Sequence, residues 1–192
     1  IKPAETSLSR INIKRSGDRV AYLMGTGDDI PASLKQIGYN VDLINVEDIT
    51  AAKLSQYDAL IMGIRAYNKY DDLKFKQSII FDFVKQGGNF IVQYNTMGRD
   101  LVMREDEMMP YPFKISRERV TKEDAKVTFL APEHEILQVP NKITQEDFEG
   151  WVQERGLYFP GEWSDQFTPI LSCNDPGEPP RNGGLLVAPY GE

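Results

Sequence analysis

Residues 20–29, which read Val20-Ala21-Tyr22-Leu23-Met24-Gly25-Thr26-Gly27-Asp28-Asp29, set the architecture of this chain. An unbroken apolar run that ends in a glycine-rich turn is typical of a strand buried on both faces of a sheet. Pro31 follows the two acids, as expected in the first turn of a helix, where proline and negative charge are both favoured. That helix is predicted to extend to Ile37 and to end at Gly38, a natural C-terminal cap.

The same alternation of strand and helix continues along residues 19–96. Strands are predicted at Val41–Ile44, Ala59–Ile64 and Asn89–Tyr94, and the longest helix at Leu73–Gln86. The predicted apolar face of this helix consists of Phe75, Ile79, Ile80, Phe83 and Val84. Strands joined by helices pair in parallel through right-handed crossovers. The sequence therefore predicts a doubly wound, flavodoxin-like α/β sheet with the strand order 2-1-3-4 and helices on both faces.

The pattern changes after Asn95 into an irregular C-terminal elaboration. Residues 97–126 are charge-rich and are predicted to form an excursion over the sheet edge, and shorter strands follow near residues 127–130, 170–172 and 184–188. We expect residues 19–192 to form one α/β domain that is truncated at its C-terminus. Residues 1–18 are expected to be a linker, or an edge strand from a preceding domain.

Composition limits the classes of partner. The chain has 192 residues and a formal net charge of −7, which argues against a nucleic-acid backbone or an anionic membrane as partner. No apolar run approaches the roughly 20 residues that a membrane-spanning helix needs. We therefore expect no nucleic acid and no membrane span.

Residues that commonly hold cofactors or act as nucleophiles are scarce. The only cysteine, Cys173, precedes a turn, and the only histidine, His134, is flanked by acids in a predicted loop. Zinc sites usually collect several Cys or His ligands, so no metal is predicted. The sequence Gly25-Thr26-Gly27 lacks the third glycine of the dinucleotide fingerprint, and no phosphate-loop motif occurs, so no cofactor is predicted either.

Polar side chains follow three of the predicted strands at their carboxyl ends, where open parallel sheets bind ligands. These candidate residues are Asp28, Arg65, Tyr67, Asn68, Tyr94 and Asn95. We expect Arg65 to form a hydrogen bond with Asp28 or Asp29, since a guanidinium that leaves a buried strand needs an acceptor. Two interpretations stay open: a structural salt bridge that closes the top of the sheet, or a polar ligand pocket.

A second candidate region is the aromatic segment, residues 150–163, which combines four large aromatic residues with two acids, an arginine and three glycines. Its candidate binding residues are Glu154, Arg155, Tyr158 and Trp163. The segment is predicted to be neither helix nor strand, and it is interpreted either as a packed structural loop or as part of a ligand surface. We expect Trp151 to be buried as an anchor, with Glu154, Arg155 and Tyr158 facing a cleft that holds Arg65 and Asn95.

Several of these stretches together resemble the C-terminal domain of large bacterial PIG-L (LmbE-like) family deacetylases. They are Gly25–Pro31, Gly63–Asn68, Gln93–Thr96, Pro140–Ile143 and Gly150–Trp163. The resemblance implies a class I glutamine-amidotransferase-like fold, an N-terminal zinc-dependent deacetylase domain in the same parent chain, and export from a bacterial cell. The deacetylase motif Ala-His-Pro-Asp-Asp is absent from this sequence, so that activity is not carried over to these residues.

The resemblance also allows a test for amidotransferase chemistry. That superfamily places a nucleophilic Cys on a turn after the strand that matches Asn89–Tyr94, whereas this turn reads Gln93-Tyr94-Asn95-Thr96, and no His follows His134. We therefore expect no glutamine hydrolysis. The leading hypothesis is a non-catalytic module that binds a carbohydrate-like ligand or docks on the deacetylase domain. The alternatives are a hydrolase or transferase that uses Asp28 or Glu154 beside Arg65, and a trehalose-utilisation-like protein.

Overall fold

A computed structural model describes residues 12–98, 101–152 and 155–191. The first part of the chain contains four strands connected by four α-helices, two of which lie between the third and fourth strands. They are β1 (Arg19–Leu23), α1 (Ile30–Gln36), β2 (Asn40–Ile44), α2 (Ala51–Leu54), β3 (Ala59–Met62), α3 (Ala66–Lys69), α4 (Gln77–Lys85) and β4 (Asn89–Val92).

The four strands form one parallel sheet in the order β2-β1-β3-β4. In the centre of the sheet, Tyr22 of β1 pairs in register with Leu43 of β2 on one side and with Ile61 of β3 on the other. The predicted doubly wound, flavodoxin-like arrangement and its strand order are confirmed.

Helices cover both faces of this sheet because the buried strands are apolar on both sides. On one face, Leu60 and Met62 pack with Leu54 of α2 and with Ile80 and Phe83 of α4, and all five side chains are buried. On the other face, the smaller cluster is Val20, Tyr22, Val41 and Ile61, against which Leu34 of α1 packs. The core of the molecule therefore lies mainly on the α2 and α4 side.

The second part of the chain is built from short antiparallel pairings. Its strands are β5 (Phe113–Ile115), β6 (Arg119–Val120), β7 (Thr128–Phe129), β8 (Gly156–Leu157), β9 (Pro160–Trp163), β10 (Thr168–Cys173) and β11 (Arg181–Val187). They form a three-stranded sheet, β11-β10-β7, and two ribbons, β5-β9 and β6-β8. The ribbons join residues about forty positions apart, so the C-terminal half folds back on the segment that follows β4.

Three predictions of local structure need correction. The predicted helix at Leu73–Gln86 is divided, because residues 71–75 form a 3-10 turn and α4 begins only at Gln77. Phe75 therefore precedes the helix and is 69% exposed instead of buried. The fourth strand ends at Val92 rather than Tyr94. Part of the aromatic segment forms strands after all, since residues 156–157 and 160–163 form β8 and β9.

Two further observations concern the described ranges only. Within residues 12–98, 101–152 and 155–191, every helix is too short or too polar to cross a lipid bilayer. In the same ranges, no group of three or more His, Cys, Asp or Glu side chains is placed to hold a metal ion.

Candidate functional site

The carboxyl ends of β1 and β3 form the point where the strand order reverses, which is where open α/β sheets bind ligands. The loops after these strands are in close backbone contact, and the amide of Thr26 donates to the carbonyl of Ile64 at 2.8 Å. A Cβ atom on Gly25 would lie 1.9 Å from the Ile64 carbonyl oxygen, and one on Gly63 would lie 2.7 Å from the Gly25 nitrogen. Glycine at both positions is what allows the two loops to meet.

The predicted pair between Arg65 and Asp28 or Asp29 is wrong. One Asp28 oxygen, Oδ1, instead accepts from the Tyr22 hydroxyl at 2.6 Å and from the Ile30 amide at 3.0 Å. Arg65 adopts a left-handed backbone conformation with φ 60° and ψ 30°, and it directly precedes α3. Among the described residues, the buried atoms Asp28 Oδ2 and Arg65 Nε have no hydrogen-bond partner.

Tyr22 links Asp28 to the end of β4. Its hydroxyl donates to Asp28 and accepts from the Gln93 side-chain amide, which lies 2.6 Å away. Burial raises the pKa of Tyr22 well above its usual value, and the neighbouring Asp28 carboxylate raises it further. Tyr22 therefore stays neutral and donates to Asp28.

Three other predicted site residues are engaged within the protein. The fully buried Tyr67 donates from its hydroxyl to Gln77 at 2.8 Å, and its amide donates to the Asn95 side chain at 3.0 Å. Asn95 also donates to the carbonyl of Gln93 at 3.0 Å. The Asn68 side chain accepts from the Thr96 amide and donates to its carbonyl, both at 2.9 Å. These residues fix the loops after β3 and β4 to each other.

A cleft of about 350 Å³ opens between the end of β4 and the C-terminal half of the chain. It is bordered by residues 92–95, by residues 155–160 and by residues 183–186. Its apolar walls include Met108, Met109, Phe113, Ile115, Phe159 and Phe167. We call this cavity the boundary cleft, because the parallel sheet forms one side of it and the antiparallel strands form the others.

The boundary cleft brings together four of the predicted site residues. They are Tyr94 and Asn95 after β4, and Arg155 and Tyr158 beside β8. The others lie elsewhere: Asp28, Arg65, Tyr67 and Asn68 belong to the loops after β1 and β3, and Trp163 pairs with Phe113 across the β5-β9 ribbon. Glu154 lies outside the described residues.

Tyr158 occupies an unusual position in the cleft wall. Its φ of 58° is left-handed, a conformation that bulky side chains rarely adopt and that costs roughly 1–3 kcal/mol. The residue connects β8 to β9, and its ring packs against the main core cluster. Left-handed geometry is also found at Arg65, so the two non-glycine residues with positive φ in the described part of the chain both lie at candidate sites.

The prediction that Trp151 is a buried anchor is also wrong. Trp151 is 48% exposed, with its ring stacked on Phe148 at a centroid distance of 5.6 Å. The anchor of the aromatic segment is Phe159, which is 6% exposed and packs with Val120, Ala125 and Cys173. Phe159 lies between β8 and β9 and packs against Val120 of β6 and Cys173 of β10, and these long-range contacts are not visible in the local sequence.

The apolar walls from residues 108–115, 167 and 183–186 were not predicted as site residues. They carry no motif, and only the long-range pairings β5-β9 and β10-β11 bring them to the end of β4. Gln93 could have been found, because it follows β4 at the same sheet edge as Tyr94 and Asn95.

The lining restricts the chemistry of the cleft. Among its described lining residues, none is Cys, His, Ser, Thr, Lys, Asp or Glu, the side chains that act most often as nucleophile, acid or base. Cys173 is 7% exposed outside this lining, and burial raises the pKa of its thiol, which disfavours the reactive thiolate. His134 accepts from the Ile136 amide in the 3-10 turn that it caps.

Comparison with known proteins adds little to this picture. The chain matches no model of a known protein family and no curated protein. It is similar in structure to a protein of Thermoplasma acidophilum that is provisionally described as a GMP synthase subunit. The two are 12% identical with a TM-score of 0.47, and the alignment covers 83% of this chain and 75% of the other.

Proposed function

We propose that this domain is a non-catalytic binding module that takes a carbohydrate-like ligand in the boundary cleft. The observation that carries the proposal is the composition of the lining, in which aromatic and apolar walls surround a few polar groups. Ligand sites in proteins commonly have this composition and a volume of roughly 300–1,000 Å³. Aromatic rings cover the C–H faces of sugars, while phenol and amide groups bind their hydroxyls.

Tyr94 is the side chain best placed to meet such a ligand. It lines the cleft, and its 44% exposure leaves part of the side chain accessible to a ligand. Its backbone carbonyl accepts from the Arg65 amide at 2.9 Å, so the main chain is fixed although the side chain is accessible. The strained Tyr158 lies in the same wall, and strain of this kind concentrates at functional sites.

The test is a calorimetric titration, followed in parallel by tryptophan fluorescence, with glucosamine, N-acetylglucosamine, glucose and glucuronate. We expect saturable binding of at least one sugar, and Tyr94→Ala should weaken it by roughly 2- to 12-fold, the contribution of one aromatic contact. Phe75→Ala is the matched control, since Phe75 is an exposed aromatic residue that lies outside the cleft lining. No binding of any sugar, or an equal effect of both variants, would exclude this function.

We propose in addition that the domain belongs to a larger PIG-L-type protein and docks on its deacetylase domain. The support is the resemblance of the stretches quoted above. The nucleotide sequence of the gene upstream of this chain provides the test. Codons upstream of Ile1 should encode an Ala-His-Pro-Asp-Asp run, and a frame that encodes no deacetylase motif would contradict the proposal.

A further inference from the structure

A second cavity, of about 560 Å³, runs along the outer edge of β4. Residues 88–92 border it over the whole strand and from both faces of the sheet. Phe90 and Val92 pack on the α4 side, whereas Ile91 lies beside Ile61 on the α1 side. The remaining lining is mostly apolar and includes Leu34 of α1, Met109, Pro110, and Leu186 and Val187 of β11. We call this cavity the edge groove.

The backbone of β4 presents unpaired hydrogen-bonding groups to the edge groove. The amides of Asn89 and Gln93 donate to backbone carbonyls on the β3 side, at 2.9 and 3.2 Å. Successive residues of a strand direct their backbone groups to opposite sides, so those of Phe90 and Val92 point away from β3. Neither of these two amides donates to another described residue, and β4 has no partner strand on this side within the described ranges. Such a row of free donors and acceptors is a template for a further strand.

The two edges of the parallel sheet differ in how they are protected. On the other edge strand, β2, Asp42 lies 3.4 Å from the guanidinium of Arg19. Charged side chains on an edge strand discourage pairing with another chain. In contrast, β4 has no charged residue, no proline and an uninterrupted register with β3. Ile91 in its middle is 49% exposed. The β4 edge therefore lacks the features that prevent strand addition.

The lining of the edge groove determines which kind of strand fits. An added strand would place its side chains alternately on the α1 side and the α4 side, and the lining is apolar on both. Asp58 is the only charged residue among the lining residues that the structure describes. Its carboxylate already accepts from the amides of Asp18 and Arg19, at 2.7 and 2.9 Å. A strand enclosed in this way is expected to be a continuous apolar run.

We propose that the edge groove binds an extended apolar segment of a partner protein, which pairs with β4 as a fifth strand of the parallel sheet. In this mode of recognition the main chain provides affinity and the side-chain pockets provide specificity. A second copy of this chain does not suit the groove, because its own β4 is recessed in the same way behind β11. The edge groove adjoins the boundary cleft and shares Val92 and Leu186 with it, but the proposal does not depend on sugar binding.

The first experiment compares two peptides by calorimetry on the unaltered protein. One is acetyl-Lys-Thr-Val-Ile-Val-Ile-Thr-Glu-amide, which has an apolar centre and no net charge. The other has the same side chains, but its four central amides are N-methylated, so that neither of its edges can pair. We expect saturable binding of the first peptide and no detectable binding of the second. Absence of binding, or equal binding of both peptides, would overturn the proposal.

Hydrogen exchange measured by NMR locates the pairing. When the first peptide saturates the protein, the amides of Phe90 and Val92 should become protected. The amides of Val41 and Leu43 are the internal control, because they point to the free edge of β2 and should exchange as before. Binding without protection at Phe90 and Val92 would overturn strand addition. Protection that appears without peptide, and only in a dimer, would show that the groove takes a second copy and would also overturn the proposal.

The last experiment changes the protein. Ile91→Lys places an ammonium group in the apolar groove and should weaken binding of the first peptide about tenfold or more. Leu43→Lys is the matched control, since Leu43 is 58% exposed on the opposite edge strand and lies outside the groove lining. It should leave the affinity unchanged. Thermal melting shows whether each variant is folded. A folded Ile91→Lys protein that binds the peptide as tightly as Leu43→Lys would overturn the proposal.

Discussion

The parallel sheet and the antiparallel C-terminal part of this molecule differ in how their structures are specified. In the sheet, the helices that cover the strands lie in the segments that connect one strand to the next, so hydrophobic periodicity is a local signal. In the C-terminal part, ribbons β5-β9 and β6-β8 pair residues that are far apart in sequence, and each strand is only two to four residues long. The boundary cleft lies where the two parts meet, with one side from each.

Both parts leave buried polar atoms without partners among the described residues, namely Asp28 Oδ2 and Arg65 Nε in the first part and Arg155 Nη1 and Arg181 Nε in the second. Within the sheet, the loops after β3 and β4 are fixed to each other by Tyr67, Asn68 and Asn95, whose hydrogen bonds stay inside the protein. In the C-terminal part, Arg155 is fixed on one side only and keeps a buried atom without a partner among the described residues. We assign function to the boundary because the cleft there combines aromatic and apolar walls with a few polar groups.

The largest expected effect concerns what anchors the C-terminal part. Phe159→Ala should lower the free energy of unfolding by roughly 3–5 kcal/mol, because it opens a cavity among Val120, Ala125 and Cys173. Trp151→Ala should cost about 1 kcal/mol or less, since that ring is half exposed. Chemical denaturation measures both. If Trp151→Ala proves the more damaging change, Phe159 is not the anchor and the comparison between the two parts fails.

The next effect tests the network at the end of the sheet. Tyr22→Phe removes the hydroxyl that joins Asp28 to Gln93, and it leaves two polar side chains without their shared partner. We expect a loss of roughly 1–3 kcal/mol by denaturation, the cost of unsatisfied polar groups in a buried site. Tyr39→Phe is the control, because its hydroxyl bond to the Ser16 carbonyl is exposed. A Tyr22→Phe protein as stable as this control would show that the network contributes nothing.

A smaller effect tests the strain at Arg65. Since Arg65 has no acidic partner among the described residues, Arg65→Ala should change stability little. Arg65→Gly should be more stable than Arg65→Ala by roughly 0.5–1 kcal/mol, because glycine adopts the left-handed conformation without penalty while the unfolded chain gains some freedom. If the Arg65→Ala variant proved more stable than the Arg65→Gly variant, the left-handed geometry would be absent in solution.

The smallest effect concerns one type of interaction that occurs in both parts, a carboxylate that accepts hydrogen bonds from backbone amides. The pKa of Asp58, in the sheet, is lowered by the amides of Asp18 and Arg19, and that of Asp175 by the amides of Lys122 and Thr121. A lowered carboxyl pKa contributes stability above the unfolded value of about 3.9 and loses it as pH falls through the folded value. Asp58→Asn and Asp175→Asn should therefore be less stable than the parent at pH 7. The difference should shrink below about pH 4. A difference that does not depend on pH would contradict this origin.

The sequence predicts the parallel sheet better than the C-terminal part, and the reason is physical. Strand positions and the order β2-β1-β3-β4 follow from apolar runs, glycine caps and crossover geometry, all of which are local. The burial of Phe159 rather than Trp151 depends on which distant strand each residue meets, and composition does not show that. The sequence predicts that Arg65 pairs with Asp28 because both follow neighbouring strands, but the Asp28 carboxylate accepts from Tyr22, which also accepts from Gln93, and these contacts cannot be read from strand positions.

The central claim is that the boundary cleft binds a carbohydrate-like ligand, and an NMR titration of isotopically labelled protein with N-acetylglucosamine, glucose and D-glucuronate in turn tests it most directly. Amide shift changes should saturate together and cluster at residues 93–95, 155–159 and 183–186, which come from both parts of the molecule. The same titration on Tyr94→Ala should need a roughly 2- to 12-fold higher ligand concentration to reach the same changes, because one aromatic contact is lost. Absence of saturable changes in the unaltered protein, or a cluster confined to residues away from the cleft, would contradict the account.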